Sequence, residues 1–330
     1  SSAVFLLSSP FAIVPAFAHV PCVVGFNQSA CIVSAGETID AGTSVIATRG
    51  VGSFLRNYGT VIGGAGTFDD DSAMSNSGWI TGESRTQGDN SPLFNSGRID
   101  QHVFTVGSNS PIINSGYIGG NVEIAGNNPV LTLLPGSEII GTITLSGSQI
   151  APEGIPTLNI MPGLSVDLTI LSGTPDVINT FGAPVVSGSG HVVVVNPAGL
   201  RATDIYARDL TSYILGGIAL PLEAYSKDGG TLVAGDAATP QFHAWFSGIG
   251  GRSHAAGRGA FGDMNNRTMG VMAGFDVSAH MGRVGVFGGV AESDHAGEYL
   301  SGENDAESVF GGVYWRGDYD THALQIGMVG

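Results

Sequence analysis

The chain has 330 residues, and 12 basic against 28 acidic side chains give it a net charge of −16. Glycine, at 52 residues, is more than twice the usual share of ~7%, while charged residues, at 12%, are about half the usual ~25%. A chain this acidic, with Lys227 its only lysine, has no electrostatic footprint for nucleic acid, and its 42% apolar content excludes intrinsic disorder, which leaves a Gly-, Ser-, Thr-, Val- and Ile-rich, all-β composition.

Residues 3–18 read AVFLLSSPFAIVPAFA, uncharged and mostly apolar. The stretch ends in Ala16-Phe17-Ala18, a small-x-small cleavage site, with Ala16 and Ala18 as its small positions. This looks like the core of a secretory signal peptide whose basic start is missing. Pro10 and Pro15 disfavour a strand or a helix there, and maturation is expected near His19. Cys22 and Cys31, the only cysteines, follow closely. In an oxidising compartment a disulfide across a short hairpin is expected. The alternatives are two free thiols or half of a metal site.

An internal repeat follows. Asn57-Tyr58-Gly59, Asn76-Ser77-Gly78, Asn95-Ser96-Gly97 and Asn114-Ser115-Gly116 recur every 19 residues. Leu55, Met74, Leu93 and Ile112 stand two residues before each Asn, and Val61, Ile80, Ile99 and Ile118 four residues after it. A fixed turn with one fixed apolar position on each side means stacked coils, with strands pairing in parallel ~4.8 Å apart. Asn57, Asn76, Asn95 and Asn114 are then expected to form a structural ladder. Asn tolerates left-handed turns, and stacked amides bond one another. A ligand-binding polar stripe is the competing reading. Larger coils come next, with Pro135-Gly136 echoed by Pro162-Gly163 at an interval of 27. Residues 185–197 read as a further rung, so that about 30–200 form one right-handed parallel β-helix, and the Cys22–Cys31 hairpin caps its first rung.

Leu200, Ile205, Leu210, Tyr213 and Ile214 recur at near-helical spacing. They predict a linker helix started by Thr203 or Asp204 and ended by Gly216-Gly217. Beyond Phe242 the pattern alternates. In Thr268–His280, Met269, Val271, Ala273, Phe275, Val277 and Ala279 take one face, and small or polar residues the other. Each stretch is about the ten residues a membrane strand needs. Five such stretches are present, joined alternately by long and short connections.

A signal, a β-solenoid, a helix and the strands HAWFSGIGGRS, GVMAGFDVS, RVGVFGGVAESD and SVFGGVYWRGDYD, in that order, closely resemble the autotransporters of Gram-negative bacteria (type V secretion). The likeness covers nearly the whole chain in architecture and is most specific over the strands. It implies a surface-displayed passenger and a barrel that translocates and anchors it, with residues 202–215 as the helix in the pore. Outer-membrane lipid and the barrel-assembly machinery are implied partners, and the route runs through the periplasm to the outer membrane and cell surface. A host-cell or glycan ligand is the candidate partner of the passenger. The family's barrel has more than twice as many strands as appear here, and open edges are not tolerated in lipid. An incomplete barrel is therefore expected, from a truncated gene model or a fragment. The boundaries on this reading are 1–18 for the signal remnant, 19–200 for the solenoid, 201–240 for helix and connector, and 241–330 for the barrel strands.

The passenger carries no Gly-x-Ser-x-Gly elbow, no His-Glu-x-x-His and no phosphate-binding Gly-Lys-Ser/Thr loop. Asp69-Asp70-Asp71 reads as a solvated turn rather than a Ca²⁺ site, which needs six or more oxygens. Glu83 and Asp100 are candidates to line a glycan groove. His243, His254, His280, His295 and His322 are scattered over strands and loops. Arg316-Gly317-Asp318 is expected to open a short periplasmic turn, away from any host receptor. No cofactor, metal or catalytic residue is expected. The expected function is a non-enzymatic adhesin or structural surface protein. A secreted β-helix enzyme acting on polysaccharide is the alternative, and a soluble β-sandwich protein is a third reading.

Overall fold

The computed structural model describes residues 22–146, 154–173, 175–226, 242–279, 282–300, 304–319 and 322–329. The signal-peptide reading, with Ala16 and Ala18, falls outside them. The chain separates into two compact units. One holds the described residues up to Thr180 together with Val185–Val195. The other holds Phe181–Pro184 and the described residues from Asn196 onward.

The first unit is a β-solenoid. A representative coil runs through Leu93–Asn95, Arg98–Ile99 and Val103–Val106. Each strand pairs in parallel with its counterparts in the coils before and after. The interval of the sequence is the register of the stack: Met74 pairs with Leu93, and Ile112 with Leu131. Leu55, Met74, Leu93, Ile112, Leu131 and Leu158 form one fully buried column, and Val61, Ile80, Ile99 and Ile118 another. Each such side chain contributes about 1.5–3 kcal/mol by leaving water. No coil has an interior of its own; its apolar residues are buried only because a neighbour lies above and below. The longer interval persists as register, with Leu131 opposite Leu158 and Ile143 opposite Ile170.

Both ends of the solenoid differ from the sequence reading. Between the cysteines there is no hairpin. Gly25–Gln28 pairs in parallel with Thr38–Arg49, and Ala30–Val33 begins the eight-stranded ladder that ends at Val177–Asn179. The segment therefore already belongs to the first coil. At the other end, Val185–Gly188 and His191–Val194 form an antiparallel hairpin rather than a rung. Ser189 and Gly190 both have positive φ (51° and 79°), the geometry of a two-residue hairpin turn. This hairpin lies antiparallel on Val166–Thr169, while Ile170 still stacks on Ile143.

The second unit is a helix, Ala198–Ser226, on a five-stranded antiparallel sheet. The strands are Phe242–Ala255, Met264–Ala279, Gly282–Gly297, Asn304–Tyr319 and His322–Val329. They run longer than the alternation suggested, so the two long connections shrink to residues 256–263 and 298–303. The helix does not stop at Gly216-Gly217. Gly217 is a contact position: a Cβ there would lie 2.8 Å from Ile249 Cγ2 and from Met272 Sδ. Nor is the start capped by Thr203 or Asp204. Asn196 Oδ1 accepts the Ala198 N–H at 3.0 Å instead. Arg316-Gly317-Asp318 does not open a turn. Its backbone is in the ladder, opposite Gln325, Leu324 and Ala323.

Candidate functional site

The repeated polar residues of the solenoid are buried and bonded to one another. Asn57, Asn76, Asn95 and Asn114 stand in one column, each at most 2% exposed. Each of the first three donates from Nδ2 to the Oδ1 of the next at 2.8 Å. The same amides donate to Trp79 O, Arg98 O and Tyr117 O at 3.3 Å. Asn114 faces Leu133 in the next coil, and its Nδ2 turns to Gly116 O of its own turn, 2.8 Å away. A Cβ on Gly97 or Gly116 would collide with the carbonyl of the glycine one coil below, so the coils approach too closely there for any side chain.

A second column was open to sequence reading at the same interval. Ser53, Ser72, Ser91 and Ser110 are buried. Ser53 Oγ donates to Ser72 Oγ at 3.0 Å, and the Ser72 and Ser91 N–H groups donate to Ser91 Oγ and Ser110 Oγ, both at 3.0 Å. Beside it, Asp71, Asn90, Asn109 and Asn128 have φ between 53° and 57°, the left-handed turn position of each coil. The acidic cluster is part of this turn. Asp69 Oδ2 accepts from Gly50 N (2.9 Å), Asp70 Oδ1 from Asp89 N (2.8 Å), and Asp71 Oδ1 from Asn90 Nδ2 (3.2 Å). Asp100 accepts from Arg98 Nε at 2.5 Å and from Trp79 Nε1 at 2.9 Å, on the outer flank. Cys22 and Cys31 are joined by a disulfide.

In the second unit, the two faces of the sheet have opposite character. Phe242, Phe246, Phe275, Val286, Val290 and Val309 point outward and are exposed, Val309 by 86%. The opposite face is covered by the helix. Ile214 and Ile218 pack with Ile249, Met272, Phe287, Phe310 and Tyr314. Glycines on this face receive aromatic rings. A Cβ on Gly274 would lie 2.5 Å from Trp245 Cζ2, one on Gly289 2.6 Å from Phe310 Cζ, and one on Gly285 would enter the Tyr314 ring.

Several polar groups on the covered face are also partnered. Tyr314 Oη donates to Asp276 Oδ2 at 2.8 Å and accepts from Trp245 Nε1 at 2.9 Å. His243 Nδ1 lies 3.4 Å and Arg283 Nη1 3.9 Å from Asp276 Oδ1, so an imidazole and a guanidinium flank the buried carboxylate. From the helix, Asp209 accepts from Ser253 Oγ and from Asn266 Nδ2, and Tyr206 meets Ser308 Oγ and the edge of His295. The described histidine side chains do not converge. His102 Nδ1 accepts from Asn121 N, His254 meets Asn265, and the side chains of His280 and His322 lie outside the described residues. Among the described residues, no group of three or more His, Cys, Asp or Glu is placed to hold a metal ion.

An apolar outer face, a half-polar inner face and a helix along that inner face form a wall suited to lipid on one side and a filled lumen on the other. Residues 244–328 match the family model described as Autotransporter beta-domain. No curated protein and no solved structure matches the chain.

Proposed function

With an autotransporter β-domain at 244–328, which implies insertion in the outer membrane and display at the cell surface, we propose that the solenoid is a non-enzymatic passenger, an adhesin or a structural surface protein. The passenger reaches the periplasm by its signal peptide, and the barrel-assembly machinery inserts the strands. The observation that carries the reading is the order of parts. A β-solenoid is followed by a helix and then by strands whose outer face is Phe- and Val-rich. The repeated polar side chains of the solenoid support a structural role, because they bond to neighbouring coils rather than converge on a cleft. Protease added to intact cells is expected to remove the solenoid and leave the strands in the membrane fraction. Passenger that binds cells or glycans without shortening them fits the proposal; depolymerised acidic polysaccharide would replace it with the enzymatic alternative.

A further inference from the structure

The start of the helix is tied to both long loops of the sheet. Arg201 Nη1 donates to Phe261 O (3.2 Å) and Gly262 O (3.1 Å), and Nη2 to Ala256 O (2.8 Å). Its guanidinium also lies 5.7 Å from the centre of the Phe261 ring. Asn196, which caps the helix, donates from Nδ2 to Tyr299 O of the other loop at 2.9 Å. The loops are joined to each other, since Glu298 N–H donates to Asp263 O at 3.1 Å. Ala202, Ile205 and Met264 are buried together beneath them, against Ala255 and Leu300.

The placement of Arg201 runs against the helix's own electrostatics. It is the fourth residue of the helix, and the first turn holds no acidic residue. A cation near a helix N-terminus is disfavoured by the macrodipole. A planar fork with several donors suits three carbonyls from the two limbs of one loop in a way that a point charge does not. Local rules are broken where another requirement outweighs them, and here that requirement is the set of three loop carbonyls.

We propose that Arg201, with Asn196, is the positioning element that stops the helix at one depth in the barrel and closes the outer mouth by holding both long loops onto it. This rests on the barrel reading above. The register it protects is narrow. One helical turn is about 5.4 Å, and a slip of that size removes Gly217 from its close approach to Ile249 and Met272.

Thiol labelling in intact cells that express the protein from its own gene tests the proposal. The sequence holds only Cys22 and Cys31, which are joined, so Ala202→Cys adds a single thiol under the loops. A membrane-impermeant maleimide is expected to label A202C slowly. Loss of three hydrogen bonds from a charged donor in A202C/R201A is expected to raise that rate on the order of 10- to 100-fold, with the heat-dependent gel shift of the barrel unchanged. Replacing residues 257–262 with a Gly-Ser linker in the A202C chain is expected to raise it similarly, and it decides the matter if R201A does not fold. Equal rates with a folded barrel, or fast labelling of A202C alone, would overturn the assignment to Arg201. Extraction of every variant from membranes without detergent, with no gel shift, would overturn the barrel reading and this proposal with it.

Discussion

Asn95→Ala removes a middle member of the amide column. The wild-type side chain makes three contacts between coils. It accepts from Asn76 at 2.8 Å, donates to Asn114 at 2.8 Å and donates to Tyr117 O at 3.3 Å. A net value of ~1 kcal/mol per bond predicts a loss of about 2–3 kcal/mol. Asn57→Ala loses only two such contacts between coils, to Asn76 and Trp79 O, because Val33 precedes it in the column; its third bond, from Gly59 N–H at 3.2 Å, lies within its own turn and counts for nothing on this view. A loss of about 1–2 kcal/mol follows on the same basis. Pulse proteolysis in urea, on the whole chain in detergent, reads the unfolding of the solenoid within it. With a slope of ~1–3 kcal/mol per molar, the midpoint should fall by about 1 M for Asn95→Ala and visibly less for Asn57→Ala. Equal midpoints for the two variants would refute the view that bonds between coils, rather than the turn itself, carry the stabilisation. Asn76→Ala combined with Asn95→Ala should cost less than the sum, since they share one bond.

Gly97→Ala places a Cβ against Gly78 O and should destabilise the solenoid by about 2–3 kcal/mol, whereas Gly188→Ala, with nothing within 4 Å among the described residues, should stay within about 0.5 kcal/mol in the same assay. Gly285→Ala, which enters the Tyr314 ring, should reduce the heat-modifiable barrel form on gels, while Gly288→Ala, which meets only Phe310 O at 3.5 Å among the described residues, should leave it intact. Val286→Lys on the outer face should cost about 2–4 kcal/mol of membrane assembly if it sits near the bilayer midplane, and detergent-free extraction measures the loss. Reducing Cys22–Cys31 opens a nine-residue separation, worth about 3 kcal/mol on a loop-entropy basis. Hydrogen exchange should then quicken in Gly25–Gln28 and leave the coils around Asn95 unchanged, because coils report mainly on their neighbours.

The solenoid was legible because a repeat of 19 residues is itself a register, and the apolar column and the turn glycines carry it twice over. The sheet was legible because its outer face is apolar at every second residue over long stretches. Of the readings that failed, three show the physical reason most directly. Valine runs at 185–186 and 192–195 suit a parallel rung and an antiparallel hairpin equally, and only the Ser189-Gly190 turn decides. Gly216-Gly217 resembles a helix stop, yet the second glycine is needed to let the helix approach the wall. Arg316-Gly317-Asp318 has turn-forming residues, but ladder pairing continues to Tyr319 opposite His322. The buried Ser53, Ser72, Ser91 and Ser110 went unread although they share the interval, because serine is so common in turns that its position alone carries little signal.

Stacked asparagine amides are also what hold cross-β fibrils together, where any exposed rung is a template for the next chain. Here the row terminates itself at both ends. Asn57 Oδ1 is occupied by Gly59 N–H of its own turn, and Asn114 Nδ2 by Gly116 O. Val33 and Leu133 fill the flanking places with hydrocarbon. Neither terminus of the row offers a free amide to a second chain as a template.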